Sequence, residues 1–422
     1  MELKQLASFT AVAEQRSFPG AARLLHLTQP VLARRMRELE ETLGVRLFVH
    51  EGDSVRLTHA GQVFLKEAQA LLAQAERATA LTRHAAEEHT AEQKDAPASN
   101  GFPAADEPAM VDLVGVGLNA TDTVIPLPHH PAPGSKVEYH AASVHPGGQT
   151  ATTVVACQHW GMRTRYVGKL GDDSAAALHR EAFARAGVDA QLITVEGAAS
   201  PQSIILVDGE GERSVLCQRD ERLTLQPDEL DRAWIQRARA LHIDGFDTAA
   251  AALAAGWARE AGIPVIADLD ELYPGVDELL TKIDYLIVSR DFPCRLMQEN
   301  DLETALRGMQ RRYGNTLTAA TLGHDGVLAW DGRQMHYVPA FHVPVADTTG
   351  AGDIFHAGFI YGLLQAWPLE RTLEFACAAA ALNCMAAGAR GGIQTVEAVE
   401  KLMASGARYH SAFCVADESW TR

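Results

Sequence analysis

Val343-Pro344-Val345-Ala346-Asp347-Thr348-Thr349-Gly350-Ala351-Gly352-Asp353-Ile354-Phe355 is the stretch on which the fold and chemistry of this 422-residue chain turn. An extended segment enters a turn of small residues, and the spacing that follows predicts a helix whose N-terminus lies near Asp353. Small residues there let backbone N–H groups approach an anion, and the helix end adds positive potential. Such a junction suits a phosphate whose charge shifts during transfer. Asp353 stands where it can take the proton of an attacking hydroxyl, and the helix end is expected to keep it ionised at neutral pH. A bare Gly-x-Gly-Asp would more often be a turn with a capping Asp, so the surroundings decide.

From Met110 onward, short β-branched runs alternate with helical stretches: Val111–Val116, Thr164–Val167, Ser203–Val207, Leu241–Ile243, Pro264–Ala267, Tyr285–Val288 and Thr318–Leu322. That alternation predicts an α/β fold with a mostly parallel sheet wrapped by helices. Before it, residues 1–90 read as helical, interrupted by two extended pieces, Arg46–Val49 and Ser54–Leu57. A long Ala/Leu/Gln/Glu-rich helix from about Thr58 to Glu88 is expected to pair with another helix. The mixed Pro, Ala, Ser, Asn, Gly and acidic composition near Glu92–Pro108 marks a flexible linker. The predicted organisation is therefore 1–58, a helical head with an extended hairpin; 59–91, a linker helix that pairs with another helix; 92–109, a flexible linker; 110–405, the α/β body; and 406–422, a tail without clear pattern.

The chain holds 37 Lys and Arg against 54 Asp and Glu, a formal charge of −17, which taken whole argues against nucleic acid as a partner. The distribution is uneven. Residues 1–66 contain nine basic and seven acidic side chains, a net of +2, so the remaining 356 carry −19. Two unlike modules are implied. The six cysteines, Cys157, Cys217, Cys294, Cys377, Cys384 and Cys414, form no CxxC pair, which argues against a zinc site or disulfide framework and for a reducing cytoplasm. Glu2 and Lys4 precede no apolar run of the kind a secretory signal has. The most apolar stretch, Phe375–Ala389, is too short and too polar to span a bilayer. No membrane partner is expected.

With its flanks, the opening stretch resembles the DTxGAGD signature of PfkB-type (ribokinase-like) carbohydrate kinases, and other segments match in order over about residues 110–400. The resemblance implies a ribokinase-like doubly wound sheet with a small β lid, and ATP-dependent phosphorylation of a sugar or sugar-like alcohol. By it, Asp353 is the base, and Gly350, Ala351 and Gly352 stabilise the transferred charge. Asp122 binds sugar hydroxyls, and His145-Pro146-Gly147-Gly148 resembles the substrate-side Gly-Gly motif. Thr152 stands four residues on, where the family often has Asn. Val167–Asp173 resembles the family's GxxGxD turn. Thr321, Gly323 and Gly326 fall in the strand and loop beside the nucleotide, Asn383 near adenine. Ser289-Arg290-Asp291-Phe292 takes the place of a magnesium-associated NxxE pattern, and Gln394 replaces a Pro. Magnesium would arrive with ATP. Asp347 and Thr349 would face a monovalent cation, potassium in many members.

In the head, Ser17–Leu43 reads as two short helices joined by a tight turn at Leu27–Thr28, with Thr28 as N-cap and Pro30 in the first turn. Gln29, Arg34, Arg35 and Arg37 lie on the exposed side of the second helix. Gln can read adenine edges, and Arg can read guanine or hold phosphates. The Arg46–Leu57 hairpin would add a wing with Arg56 near the DNA backbone. Residues 1–66 resemble the winged helix-turn-helix of LysR-type transcriptional regulators, an all-α winged domain that continues into a linker helix. That implies promoter binding to double-stranded DNA as a homodimer, with a recognition helix at Thr28–Leu39. Ala33 and His50 stand where the family usually has Ser and a basic residue. The family's effector-binding domain is replaced by the α/β body. Two functions remain open: a sugar kinase coupled to a DNA-binding head, or a transcriptional regulator using the kinase fold mainly as a sugar or nucleotide sensor. The retained Asp353 favours catalysis.

Overall fold

The computed structural model describes residues 3–15, 17–24, 27, 29–51, 54–65, 68, 110–209 and 213–409. The chain divides into two units, Met1–Ala104 and Ala105–Arg422. The predicted Thr58–Glu88 helix is seen as helical over 59–65. Most of its remainder, Thr28, the linker 92–109 and the tail from 410 lie outside the described residues.

In the first unit, helices Leu3–Gln15, Phe18–Leu24 and Gln29–Leu43 precede an antiparallel hairpin of β1 (Phe48–Glu51) and β2 (Ser54–Leu57). The third helix stops at Gly44, whose φ of +69° is the left-handed conformation glycine accommodates. Leu6, Phe9, Val12, Leu32, Met36 and Leu39 bury their side chains with Leu47, Phe48 and Val55. Three helix stripes and one hairpin face thus share a core. Glu40 accepts the Leu47 N–H at 2.7 Å, fastening the wing to the third helix.

The second unit contains β3 (Val111–Val116), β4 (Ala120–Pro126), β5 (Ser143–Gly147), β6 (Thr164–Leu170), β7 (Asp189–Thr194), β8 (Gln202–Val207), β9 (Arg213–Gln218), β10 (Ala238–Ile243), β11 (Val265–Leu269), β12 (Tyr285–Ser289), β13 (Leu317–Thr321), β14 (Val327–Trp330) and β15 (Met335–Val338). Nine of them form one sheet in the order β15-β14-β13-β12-β11-β10-β3-β6-β7, parallel from β13 to β7, with β14 and β15 antiparallel at one edge. Helices cover both faces, so β6 and β11 are buried along their whole length. On one face lie the alanines of Thr248–Glu260; on the other pack helices Gln149–His159, Ala351–Leu364 and Leu369–Asn383. A four-stranded lid, β5-β4-β8-β9, carries β9 as its exposed outer strand.

Strand order turns around at β3. The chain runs outward through β6 and β7, then resumes on the other side at β10. The crevice beyond the carboxyl ends of β3 and β10 is the place such sheets bind ligands. Asp244, just past β10 and fully buried, closes its floor by accepting the Leu118 N–H at 2.6 Å and the Thr150 hydroxyl at 2.8 Å. A Cβ at Gly117 would stand 2.4 Å from that carboxylate, so the close approach requires glycine.

Candidate functional site

The Ala351–Leu364 helix begins at Gly350, its N-cap, with a φ of +76°. A Cβ there would meet the Ala389 carbonyl at 2.4 Å, whereas one at Gly352 would meet nothing within 4 Å. The turn is thus closed on one side and open on the other. Helix geometry leaves the N–H groups of Gly352 and Asp353 without i−4 partners; that of Ala351 closes onto Thr348 O at 3.2 Å. The helix is held in place by its neighbour Gln149–His159: Thr153 donates to the Asp353 carbonyl (3.0 Å), and Cys157, one turn on, donates to that of Ala357 (3.7 Å).

Asp353 keeps part of its surface open, yet burial of its carboxyl and the charge of Asp268 push its pKa well above the usual carboxylate range. These outweigh the helix end, which had been expected to keep it ionised. Behind it, His356 places Nδ1 2.8 Å from the Gly352 carbonyl and 3.4 Å from Asp268, and Nε2 3.2 Å from Ile287 O. Burial drives His356 toward its neutral form. Burial, with Asp270 and Asp244 nearby, drives Asp268 toward the protonated acid. Contacts of the His356 ring with the Gly352 and Ile287 carbonyls and with Asp268 tie the first turn of the helix to β11 and β12.

Asp122 lies mid-strand on β4, paired with His145 of β5 and Ser203 of β8, at the base of the lid. It is 5% exposed, and burial pushes its carboxyl up to about 6 despite the opposing charge of Arg390. Its carboxylate occupies the space a Cβ at Gly147 would take, 1.9 Å away. Gly148 has a φ of +89°, and a Cβ there would stand 2.4 Å from Asn119 Cα. The Gly-Gly turn thus exists so that the lid strand and its carboxylate can close on it. Thr152 is fully buried; its hydroxyl accepts Nε of Arg390 at 3.2 Å. Asn119 donates to Tyr166 Oη (2.7 Å) and Lys169 O (3.1 Å).

At the carboxyl ends of adjacent parallel strands, Ser289 of β12 pairs in register with Thr321 of β13. Gly323 and Gly326 bracket the turn into β14, both with positive φ. Asn383 revises its expected place beside adenine. It is 0% exposed, its amide nitrogen donates to the carbonyls of Thr349 (3.3 Å) and Ala389 (3.1 Å), and its oxygen accepts the Gly392 N–H at 3.2 Å. It ties loops together and offers a ligand no surface. Asp347 accepts the N–H of Thr349 and of Gly388, each at 2.8 Å, and the buried Thr349 hydroxyl has no partner among the described residues.

Residues 110–396 match the family model for pfkB family carbohydrate kinases. The chain belongs to that family. Its catalytic unit is an ATP-dependent carbohydrate kinase, and residues 3–62 match the bacterial regulatory helix-turn-helix proteins of the lysR family. The kinase is similar to 5-dehydro-2-deoxygluconokinase of Geobacillus kaustophilus, 25% identical over 322 residues, 71% of this chain and 95% of the relative. It is also similar to ATP-dependent ribose-1-phosphate kinase of Halopiger xanaduensis, 29% identical over 293 residues, covering 69% and 97%. Among solved structures, a putative ribokinase from Agrobacterium tumefaciens aligns with a TM-score of 0.65 at 25% identity, covering 70% of this chain and 98% of that one. Arabidopsis thaliana ribokinase complexed with ribose and ATP shares the fold, with a TM-score of 0.58 at 23% identity, covering 70% and 99%.

Sequence reasoning missed four residues that the structure brings to this cleft: Arg390, Asp244, and the Asp268–His356 pair. Each acts through contacts between elements distant in sequence. The Asp268-Leu269-Asp270 run at the end of a predicted strand was the readable signal. Arg213 of β9 also reaches the signature loop, donating to the Thr348 carbonyl at 2.6 Å. A surface cavity of about 370 Å³, lined by Arg259, Pro264, Asp284, Tyr285 and Thr316, opens at the amino-terminal edge of the sheet, away from this chemistry. No helix among the described residues is long and apolar enough to cross a membrane.

In the helix-turn-helix, Gln29, Arg34 and Arg37 are exposed on the third helix and Arg56 on β2. Arg35 differs. It is half-buried, and its guanidinium donates to Ser8 Oγ at 3.3 Å, joining the first and third helices.

Proposed function

We propose that this kinase transfers the γ-phosphoryl group of ATP to a hydroxyl of a sugar or sugar acid, with Asp353 as base and Asp122 orienting the acceptor. The observation that carries the reading is the helix start. An aspartate with raised proton affinity sits beside Gly352, whose backbone faces open space, and the charge of Asp122 acts on that aspartate. A carboxylate with a raised pKa is the stronger base when the attacking hydroxyl gives up its proton. The Gly352 and Asp353 N–H groups would receive the charge of the transferred phosphoryl. The nucleotide would lie over Ser289, Thr321, Gly323 and Gly326, with magnesium entering on ATP to neutralise phosphate charge. Two relatives are named for kinases of a dehydro-deoxygluconate and of ribose 1-phosphate, which supports including acidic sugars. ATP consumption by the full chain across neutral and acidic sugars tests the reading. No turnover on any of them, or full turnover by Asp353→Asn, refutes it.

Asp347 and Thr349 fit a monovalent cation, because the Thr349 hydroxyl is buried and unpartnered and each Asp347 oxygen keeps a lone pair beyond its N–H bond. Replacing potassium by a bulky organic cation at constant ionic strength should lower turnover. The head is proposed to bind duplex DNA as a homodimer through Gln29, Arg34, Arg37 and Arg56, coupling the kinase to transcription. Arg35 would serve chiefly to hold the recognition helix.

A further inference from the structure

Arg390 lies in the loop that follows the Leu369–Asn383 helix. Its guanidinium is gripped on two sides: Nε donates to Thr152 Oγ1 at 3.2 Å, and Nη2 donates to the Gly147 carbonyl at 2.8 Å. The third nitrogen, Nη1, is buried with no partner among the described residues. A buried charged donor left without an acceptor carries its full desolvation penalty, so such a group calls for a ligand or another explanation. Burial lowers the guanidinium only to about 10, so it stays charged at neutral pH.

The surroundings say what the ligand is. Gly147, whose carbonyl holds Nη2, is also the residue against which the Asp122 carboxylate packs. The guanidinium therefore stands beside the group that receives sugar hydroxyls, and the charges of Asp122 and Asp353 act on it. Neither forms a close ion pair with it among the described residues. Hydroxyl groups already have an acceptor in Asp122. A rigid, permanently charged donor in the field of Asp122 and Asp353 matches an oxyanion better than a further hydroxyl.

We propose that Arg390 makes the site select a sugar bearing an oxyanion, a carboxylate or a phosphate, bound at Nη1 while Asp122 holds its hydroxyls. Thr152 is then a positioning residue that acts through Arg390. The inference rests on the reading of this cleft as the sugar site of the kinase.

The test is calorimetric binding to the full chain of two matched pairs, gluconate against sorbitol and ribose 1-phosphate against ribose. In at least one pair the acid should bind at least about tenfold more tightly. Which pair discriminates tells carboxylate from phosphate. Arg390→Met should bring the acid to within about threefold of its neutral partner, and Arg390→Lys, which keeps the charge but loses the fork, should retain part of the preference. Equal binding within both pairs, including no binding at all, overturns the proposal, as does a preference that survives Arg390→Met. Should that variant not fold, an undiminished preference in Arg390→Lys overturns it. ATP turnover on neutral and acidic sugars alike would sink this proposal and leave the kinase reading standing. Acid-selective binding without turnover would do the reverse.

Discussion

Replacing Asp122 by Asn should make the kinase unit more stable and a worse kinase. Burial raises the Asp122 carboxyl from 3.8 to about 6, which at about 1.4 kcal/mol per pH unit means that carrying the charge costs the fold about 3 kcal/mol at neutral pH. The near-isosteric amide removes that penalty but weakens the contact with Ser203 across the lid, so a net gain of about 1–3 kcal/mol is expected. At roughly 2 °C per kcal/mol for a unit of this size, the unfolding transition should rise by about 2–6 °C at pH 7.5. The sign with pH follows from linkage. The folded chain binds this proton more tightly than the unfolded one, so the penalty is absent below about pH 4, grows from about 4 to 6 and is complete above. The advantage of the variant over wild type should therefore be smaller at pH 5 than at pH 7.5 by about 1.5 kcal/mol. Scanning calorimetry at the two pH values measures it, and sugar KM should rise at least about tenfold in the same variant, because the amide loses an acceptor. A variant less stable than wild type at pH 7.5, or a gap equal at both pH values, would refute the reasoning. The site would then be gaining stability from the charge it buries.

Asp353→Asn should retain the fold and ATP binding and lose turnover by at least about a hundredfold, measured by ATP consumption. Because the base must be ionised and its pKa is raised, wild-type kcat should fall with decreasing pH through a midpoint well above 3.8; a flat profile down to pH 4 would argue against this base. Gly350→Ala should destabilise the kinase unit, since it combines a φ of +76° with an approach of 2.4 Å to the Ala389 carbonyl. Gly352→Ala should leave stability unchanged or raise it by up to about 1 kcal/mol and still lose turnover, because its methyl fills the space left for the phosphate; thermal unfolding paired with kinetics separates the two. Arg34→Ala with Arg37→Ala should weaken duplex binding and lower the slope of log affinity against log salt by about 2. Fluorescence anisotropy on genomic fragments between 50 and 200 mM salt checks this, and an unchanged slope would leave those side chains off the phosphates.

Much of the architecture was legible because it is written in local order. All seven predicted runs in the body are strands, displaced by three residues or fewer at their ends, since β-branched segments leave a dense apolar signal whether buried on both faces, as in the main sheet, or on one, as in β8. The lid strands β4, β5 and β9 were not picked out from the residues. They range from mostly buried in β4 to fully exposed in β9, are mixed in composition, and are stabilised by pairing with strands elsewhere in the chain. The signature loop could be read because its chemistry needs contiguous small residues. Asn383 could not be placed by the same means, because an amide beside a ligand and an amide knitting two loops have the same sequence.

The sequence by itself determined that a helix-turn-helix precedes an α/β kinase unit and that an aspartate opens a helix after a glycine turn. Tertiary structure alone decided the charge state and partners of those groups. Asp353 is raised by burial and by Asp268, 85 positions away in the chain. Arg390 meets Gly147 across 243 positions, and Arg35 is drawn onto Ser8. Burial and Coulomb interaction depend on distance in space, and in a doubly wound sheet the residues at the carboxyl ends of neighbouring strands are separated by whole helices of chain.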